Sequence, residues 1–72
     1  MRLDEYWHKV VENTMLHPEW RYGQSAMNTL QVVRPELAKQ VVGTDLDPFY
    51  IEDINRDLYR WRKYVDFVKE NW

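Results

Sequence analysis

A few side chains in this sequence have types that chemistry uses, and their spacing decides what each can do. His8 and Glu12 stand four positions apart, a helical pair able to give two ligands to one metal ion. His17, nine positions from His8, falls on another side of any helix that holds both. With no cysteine and no third histidine, a zinc-type ligand set stays incomplete, and the expectation is a chain without metal or other cofactor. DLDPFYIEDINR, residues 45–56, begins like a calcium loop, with Asp45 and Asp47 at its first and third positions. Tyr50 then stands where that loop needs glycine and Arg56 where it needs a bidentate glutamate, so these carboxylates read as helix caps that keep a turn soluble. Ser25 is the one serine, with no glycine elbow or oxyanion motif around it. A helical chain of 72 residues also offers little concave volume. These residues predict a protein that is not an enzyme.

The elements that position these groups follow from apolar periodicity and punctuation. Leu3, Tyr6, Trp7, Val10, Val11 and Thr14 share one side of a 3.6-residue period, which predicts a helix over 3–16. Pro18 stops it, and a proline at the first helical position can open the next helix, predicted over 18–33. In that helix Tyr22, Gly23, Ala26, Met27, Leu30 and Val33 face inward, and Gly23 beside Ala26 suits a close helix crossing. In LHPEWRYGQS, residues 16–25, Pro18 and Gly23 thus serve the backbone, Trp20 and Tyr22 add apolar area, and His17 sits where it can cap a helix end. The stretch is a joint rather than a site. Arg34-Pro35 repeats the punctuation, giving a short helix over 35–42 with Leu37, Ala38, Val41 and Val42 inward and Gly43 past its end. Asp47-Pro48 allows a single helical turn over 48–51. Ile51, Ile54, Leu58, Trp61, Val65, Val68 and Trp72 are spaced 3, 4, 3, 4, 3, 4, a heptad seam that predicts a helix over 54–71 with Tyr64 at its flank. The expected architecture is a single all-α domain over 1–72, a small bundle of about four helices.

Composition agrees and narrows the classes of function. A chain this short buries only about 60% of its unfolded surface, and it compensates with 44% apolar residues, including four Trp, five Tyr and two Phe. Without cysteine, packing or oligomerisation must supply the stability that disulfides give other small domains. No apolar run approaches a membrane span, and the N-terminus lacks the apolar segment of a signal peptide, so a soluble, cytoplasmic protein is expected. The formal net charge is −2. Residues 35–53 carry one basic and five acidic side chains, and residues 54–72 five basic and three acidic. Non-specific nucleic-acid binding needs a basic face, and a recognition helix over 35–42 would have only Lys39 as a cation, which leaves a nucleic-acid-binding regulator as the last of three alternatives.

One surface feature remains: Arg56, Tyr59, Arg60, Lys63 and Phe67 cluster on the side of the C-terminal helix away from Trp61. Cations interleaved with aromatic rings suit protein recognition. The competing reading is a solvated face, with Asp57 and Asp66 pairing to Arg60 and Arg62 and Phe67 extending the core.

Trp20-Arg21-Tyr22-Gly23-Gln24, Asn28-Thr29-Leu30, Arg34-Pro35-Glu36-Leu37-Ala38 and Gly43-Thr44 through Asp47-Pro48-Phe49-Tyr50 resemble a group of short phage and prophage proteins of unassigned function. The resemblance covers residues 18–50, leaves out both terminal helices, and implies no activity or site residue. It implies a setting, the cytoplasm of a bacterial host, where small proteins without catalytic groups act by binding a host protein. The first expectation is therefore a non-enzymatic protein–protein interaction module that modulates a host protein through Arg56, Tyr59, Arg60, Lys63 and Phe67. The alternative is a self-assembling protein, a homodimer paired through the Ile54/Leu58/Trp61/Val65/Val68 seam. The acidic turn around Asp45, Asp47, Glu52 and Asp53 is the other candidate contact surface.

Overall fold

In the computed structural model, which describes residues 1–72, the chain forms four helices and no strand: α1 (Leu3–Leu16), α2 (Tyr22–Val33), α3 (Pro35–Val41) and α4 (Leu58–Asn71). The all-α class and the order of helices are as expected, and two helix starts are not. α1 and α2 both have arginine at the N-cap, a side chain with no acceptor to offer. The third helical residue compensates in each case: Glu5 Oε1 accepts from the Arg2 amide at 2.8 Å, and Gln24 Oε1 from the Arg21 amide at 3.2 Å.

α2 begins at Tyr22 rather than at Pro18. Pro18 has two locally acceptable roles, the first position of a helix or the second residue of a β-turn. Here it takes the turn, closed by a 2.9 Å bond from the Trp20 amide to the His17 carbonyl. The His17 ring stacks on Trp20 at 3.8 Å, 12° from parallel, and its Nδ1 lies 3.4 Å from Glu19. Pro35, by contrast, does open α3.

Beyond α3, Gly43 takes φ +75° and the chain enters a turn built around Asp47. One oxygen of this buried carboxylate accepts from the Gly43 amide at 2.9 Å and the other from the Phe49 amide at 2.9 Å. Residues 48–51, where the sequence allowed a single helical turn, make one turn closed by an Ile51 amide to Pro48 carbonyl bond of 3.1 Å, and no helix follows from it. This turn packs on α2 at Gly23, where an added Cβ would lie 2.1 Å from the Pro48 oxygen. Gly23 is therefore needed for close approach, as expected, but what approaches is the 43–49 turn and not a crossing helix. Arg21 Nη2 donates to the Phe49 carbonyl at 3.2 Å and secures the same joint.

α4 begins at Leu58, not at residue 54. Asp53 opens a separate single turn before it: its side chain accepts from the Asn55 amide at 2.9 Å, its carbonyl accepts from the amides of Arg56 and Asp57 at 3.1 and 3.2 Å, and the backbone leaves helical geometry at Asp57, with φ −126° and ψ 51°. Asp57 stands at the N-cap of α4, where its carbonyl accepts from the Trp61 amide at 3.1 Å and its side chain makes no capping bond. The 3, 4 spacing of Ile51, Ile54 and Leu58 thus runs through a turn, and these residues do not form a helical stripe. Within α4 the deeply buried residues are Tyr64 and Val68, while Leu58 is 46% exposed. Tyr64, expected at the flank, is at the centre.

The core gathers Tyr6 and Val10 of α1, Ala26, Met27 and Leu30 of α2, Leu37, Ala38 and Val41 of α3, and Tyr64 and Val68 of α4. Val11 and Val42, expected inward, are exposed: Val11 lies at the edge of the apolar arc of α1, and Val42 lies past the end of α3, where the backbone is no longer helical. Ser25 and Thr29, not expected inside, are buried on α2. Thr29 Oγ1 donates to the Ser25 carbonyl at 2.6 Å and accepts from Asn13 Nδ2 of α1 at 2.8 Å. α4 joins the bundle through large rings, with Trp72 5.1 Å from Tyr6 and Trp61 5.9 Å from Trp7. The C-terminal end of α4 lies by the start of α1, where the Trp72 indole donates to the Met1 carbonyl at 3.0 Å. The two helices therefore run in opposite directions.

Candidate docking surfaces

The structure divides the five residues of the expected basic and aromatic face. Arg56 lies in the turn before α4, its side chain 89% exposed and 3.8 Å from Asp53. Arg60 is engaged within the chain, with Nη1 3.5 Å from Asp57 and Nη2 donating to the Asp47 carbonyl at 3.4 Å. Phe67 packs against the core, because it falls on the buried side of α4. Tyr59 and Lys63 remain as a pair on the outer flank: Tyr59 is 76% exposed, and the Lys63 ammonium sits 5.5 Å from its ring centre. The Asp57–Arg60 pair of the solvated-face reading is present, and Asp66 makes no ion pair with Arg62.

The acidic turn is also divided. Asp47 is buried and bonded to two backbone amides, so it belongs to the frame and not to a surface. Asp45, Glu52 and Asp53 are exposed. No three His, Cys, Asp or Glu side chains come together as a metal-binding set. Ser25 is fully enclosed, and its hydroxyl has no hydrogen-bond partner.

A surface without a local sequence signal lies on the other flank of α4. Trp7 and Val11 of α1, Tyr22 of α2, Ile54, and Trp61 and Val65 of α4 line an open groove of about 360 Å³, apolar at every lining residue. Its floor is a network of rings. Trp61 meets Trp7 edge-on at 5.9 Å and 67°, and Tyr22 at 5.4 Å and 73°. Trp7 in turn meets the core ring of Tyr6 at 4.7 Å. Such ring pairs add about 0.5–1.5 kcal/mol each beyond area burial, so the floor is stiff and its shape is set by the core. Partial burial pushes the Tyr22 phenol up from its ordinary value. The lips are apolar as well, with Val11 45% and Leu58 46% exposed.

The groove explains where the expected seam goes. Val68 is fully buried and cannot face a partner, so the seam as a whole is not a free strip. Its Ile54, Trp61 and Val65 edge, however, is one wall of the groove. The clue available in the sequence was a surplus: α1 and α4 each carry more apolar positions than one packing contact uses.

The central hydroxyls complete the inventory. Tyr6 donates its single proton to the Ala26 carbonyl at 2.8 Å, so at the 2.7 Å contact between the two phenols Tyr64 is the donor. Burial raises both phenols above the ordinary tyrosine value, and the neighbouring phenol adds to the effect at Tyr6. They are neutral structural groups with every proton placed. Comparison of the chain with protein-family models, with curated proteins and with solved structures finds no match.

Proposed function

We propose that this chain is a small non-enzymatic protein–protein interaction module that acts by contact. The observation that carries this reading is the α1/α4 groove, an open apolar surface with a rigid aromatic floor in a chain whose serine and central tyrosines are enclosed in the core. Apolar patches gathered in one place and rimmed by polar residues mark interaction sites, whereas scattered ones do not. In the phage-type setting that the resemblance over residues 18–50 implies, the module modulates a cytoplasmic host protein, and Tyr59 with Lys63 is the surface offered to it. A ring and a cation held together in solvent, with no bond to the rest of the chain, are suited to that task.

The test is affinity capture from a bacterial lysate, with captured proteins identified by mass spectrometry. One defined host protein retained by the wild-type chain and lost with Tyr59→Ala/Lys63→Glu is the expected result. A chain that retains no protein, or a double variant that retains the same protein equally well, overturns this assignment of target and surface.

A further inference from the structure

We propose that α4 has a second state, one continuous helix over 54–71, reached by turning the backbone at Asp57, and that this hinge carries Ile54 into and out of the groove wall.

The segment before Asp57 is already built as the first turn of a helix. The Asp53 side chain accepts from the Asn55 amide at 2.9 Å, the bond an N-cap residue makes to the second helical position. The Asp53 carbonyl accepts from the Asp57 amide at 3.2 Å, four residues on, which is the α-helical interval. Past the break, the Asp57 carbonyl accepts from the Trp61 amide at 3.1 Å, again four residues on. Between these two helical intervals the backbone departs from helical geometry at Asp57, with φ −126° and ψ 51°.

The bent state leaves bonds unmade. The Asp57 side chain makes no capping bond, and the amides of Leu58, Tyr59 and Arg60 have no acceptor within the chain. The carbonyls four residues before them, of Ile54, Asn55 and Arg56, accept no backbone bond either. A helical Asp57 brings these three pairs together and keeps the bonds of the Asp53 turn. Packing opposes it: Ile54 lines the groove with Trp61 and Val65, and Ile51, three residues earlier, is 3% exposed. Three exposed backbone bonds and the partial burial of one isoleucine are contributions of similar size, so the two states lie close in free energy. Glu52 and Asp53 are exposed and take up the movement, while the turn before them stays pinned at Gly23 and Arg21.

The consequence lies in the groove. In the straight state Ile54 stands four residues before Leu58 and seven before Trp61 on one unbroken helix, so the heptad spacing of the sequence becomes a helical stripe. The position of Ile54 relative to Trp61 and Val65 then differs from the one that walls the groove in the bent state. The groove thus has a closed form, with Ile54 in its lining, and an open form with Ile54 drawn onto the axis of α4. Whatever takes the place of Ile54 draws α4 straight, and a straight α4 favours that occupation to the same degree. The device belongs to the chain alone and holds whichever protein the surface contacts.

The experiment is nuclear magnetic resonance on the full chain, comparing the wild type with Asp57→Ala and Asp57→Gly. Both substitutions remove the carboxylate, and the two differ in helix preference by enough to change the straight-to-bent ratio about fivefold. Relative to glycine, alanine is expected to move the Cα shifts of residues 54–57 toward helical values and to slow hydrogen exchange at the amides of Leu58, Tyr59 and Arg60, with the Ile54 methyl shifts following. The wild-type chain is expected to show microsecond-to-millisecond exchange over residues 54–60 and none over residues 64–71, a measurement that stands even where a variant fails to fold. A wild-type chain without that exchange overturns the hinge, as do identical Cα shifts and amide exchange in the two variants. Ile54 methyl shifts that stay fixed while the Cα shifts move overturn its link to the groove.

Discussion

The hydroxyls of Tyr6 and Tyr64 lie 2.7 Å apart at the centre of the core, joining α1 to α4 across 58 positions of sequence. The bond continues to the Ala26 carbonyl of α2, so one chain of two protons links three helices. Tyr6→Phe leaves the buried Tyr64 hydroxyl without its acceptor and should cost about 1–3 kcal/mol. Removing both hydroxyls with Tyr6→Phe/Tyr64→Phe should cost less than the two single changes summed, because no orphan is left. Urea denaturation of the four proteins checks this, and strict additivity would show that the hydroxyls act independently.

The same pair sets an alkaline limit. Both phenols ionise in the folded chain only well above the ordinary value of about 10. Their contribution to stability is therefore complete below about pH 10. It declines as the pH rises further, since the unfolded chain releases those protons first. The slope should approach about 1.4 kcal/mol per pH unit for each tyrosine. Urea midpoints measured from pH 8 upward should hold level and then fall, and the fall should be shallower in Tyr6→Phe/Tyr64→Phe. An equally steep profile in that variant would assign the alkaline loss to other groups.

The two glycines should respond differently to alanine. At Gly23 the added Cβ meets the Pro48 oxygen, so α2 and the 43–49 turn must separate, an overpacking cost of about 1–3 kcal/mol. At Gly43 nothing lies near the new atom, and only the left-handed backbone is strained, at about 1–2 kcal/mol. Gly43→Asn should recover part of that loss, because asparagine tolerates this conformation, while Gly23→Asn should be worse than Gly23→Ala. Thermal denaturation separates the two cases, and a harmless Gly23→Asn would mean the turn yields freely.

Asp47 and Asp45 stand two residues apart and should behave unlike one another. Asp47→Asn places an amide donor against one of the two backbone N–H groups the carboxylate accepts, for a loss of about 1–3 kcal/mol. Exposed Asp45 changed to alanine should shift stability by less than about 0.5 kcal/mol. Chemical denaturation midpoints decide it, and equal effects at the two positions would remove Asp47 from its organising role.

Much of the architecture was legible because the signals were local. α1 matches its expected bounds of 3–16, since its apolar period and its end before Pro18 depend on near neighbours only. α3 starts at Pro35 and ends before Gly43 for similar reasons. Composition alone required a dense aromatic core and left packing or oligomerisation as the sources of stability. The inward positions Tyr6, Val10, Ala26, Leu30, Leu37 and Val41 could be read from periodicity.

Tertiary structure decided what local rules left balanced. Pro18 suited a helix start and a turn equally, and the turn prevailed where His17 stacks on Trp20 and α2 seats Gly23 against Pro48. The heptad spacing of Ile51, Ile54 and Leu58 was a true count but not one helix, because the turn that Asp53 opens breaks at Asp57, whose φ of −126° and ψ of 51° are not helical. Within the Arg56, Tyr59, Arg60, Lys63 and Phe67 cluster, Arg56 lies in the turn before α4 and Phe67 packs on the core, for a related reason: spacing ranks residues around one helix axis and says nothing of which flank another element covers. The groove has no local signature at all. Trp7, Tyr22, Ile54 and Trp61 come from segments far apart in the chain, and they meet only because two buried phenols hold α4 against α1. Periodicity assigns each helix an apolar arc, but which part of that arc is covered and which stays open depends on where the neighbouring helices cross it.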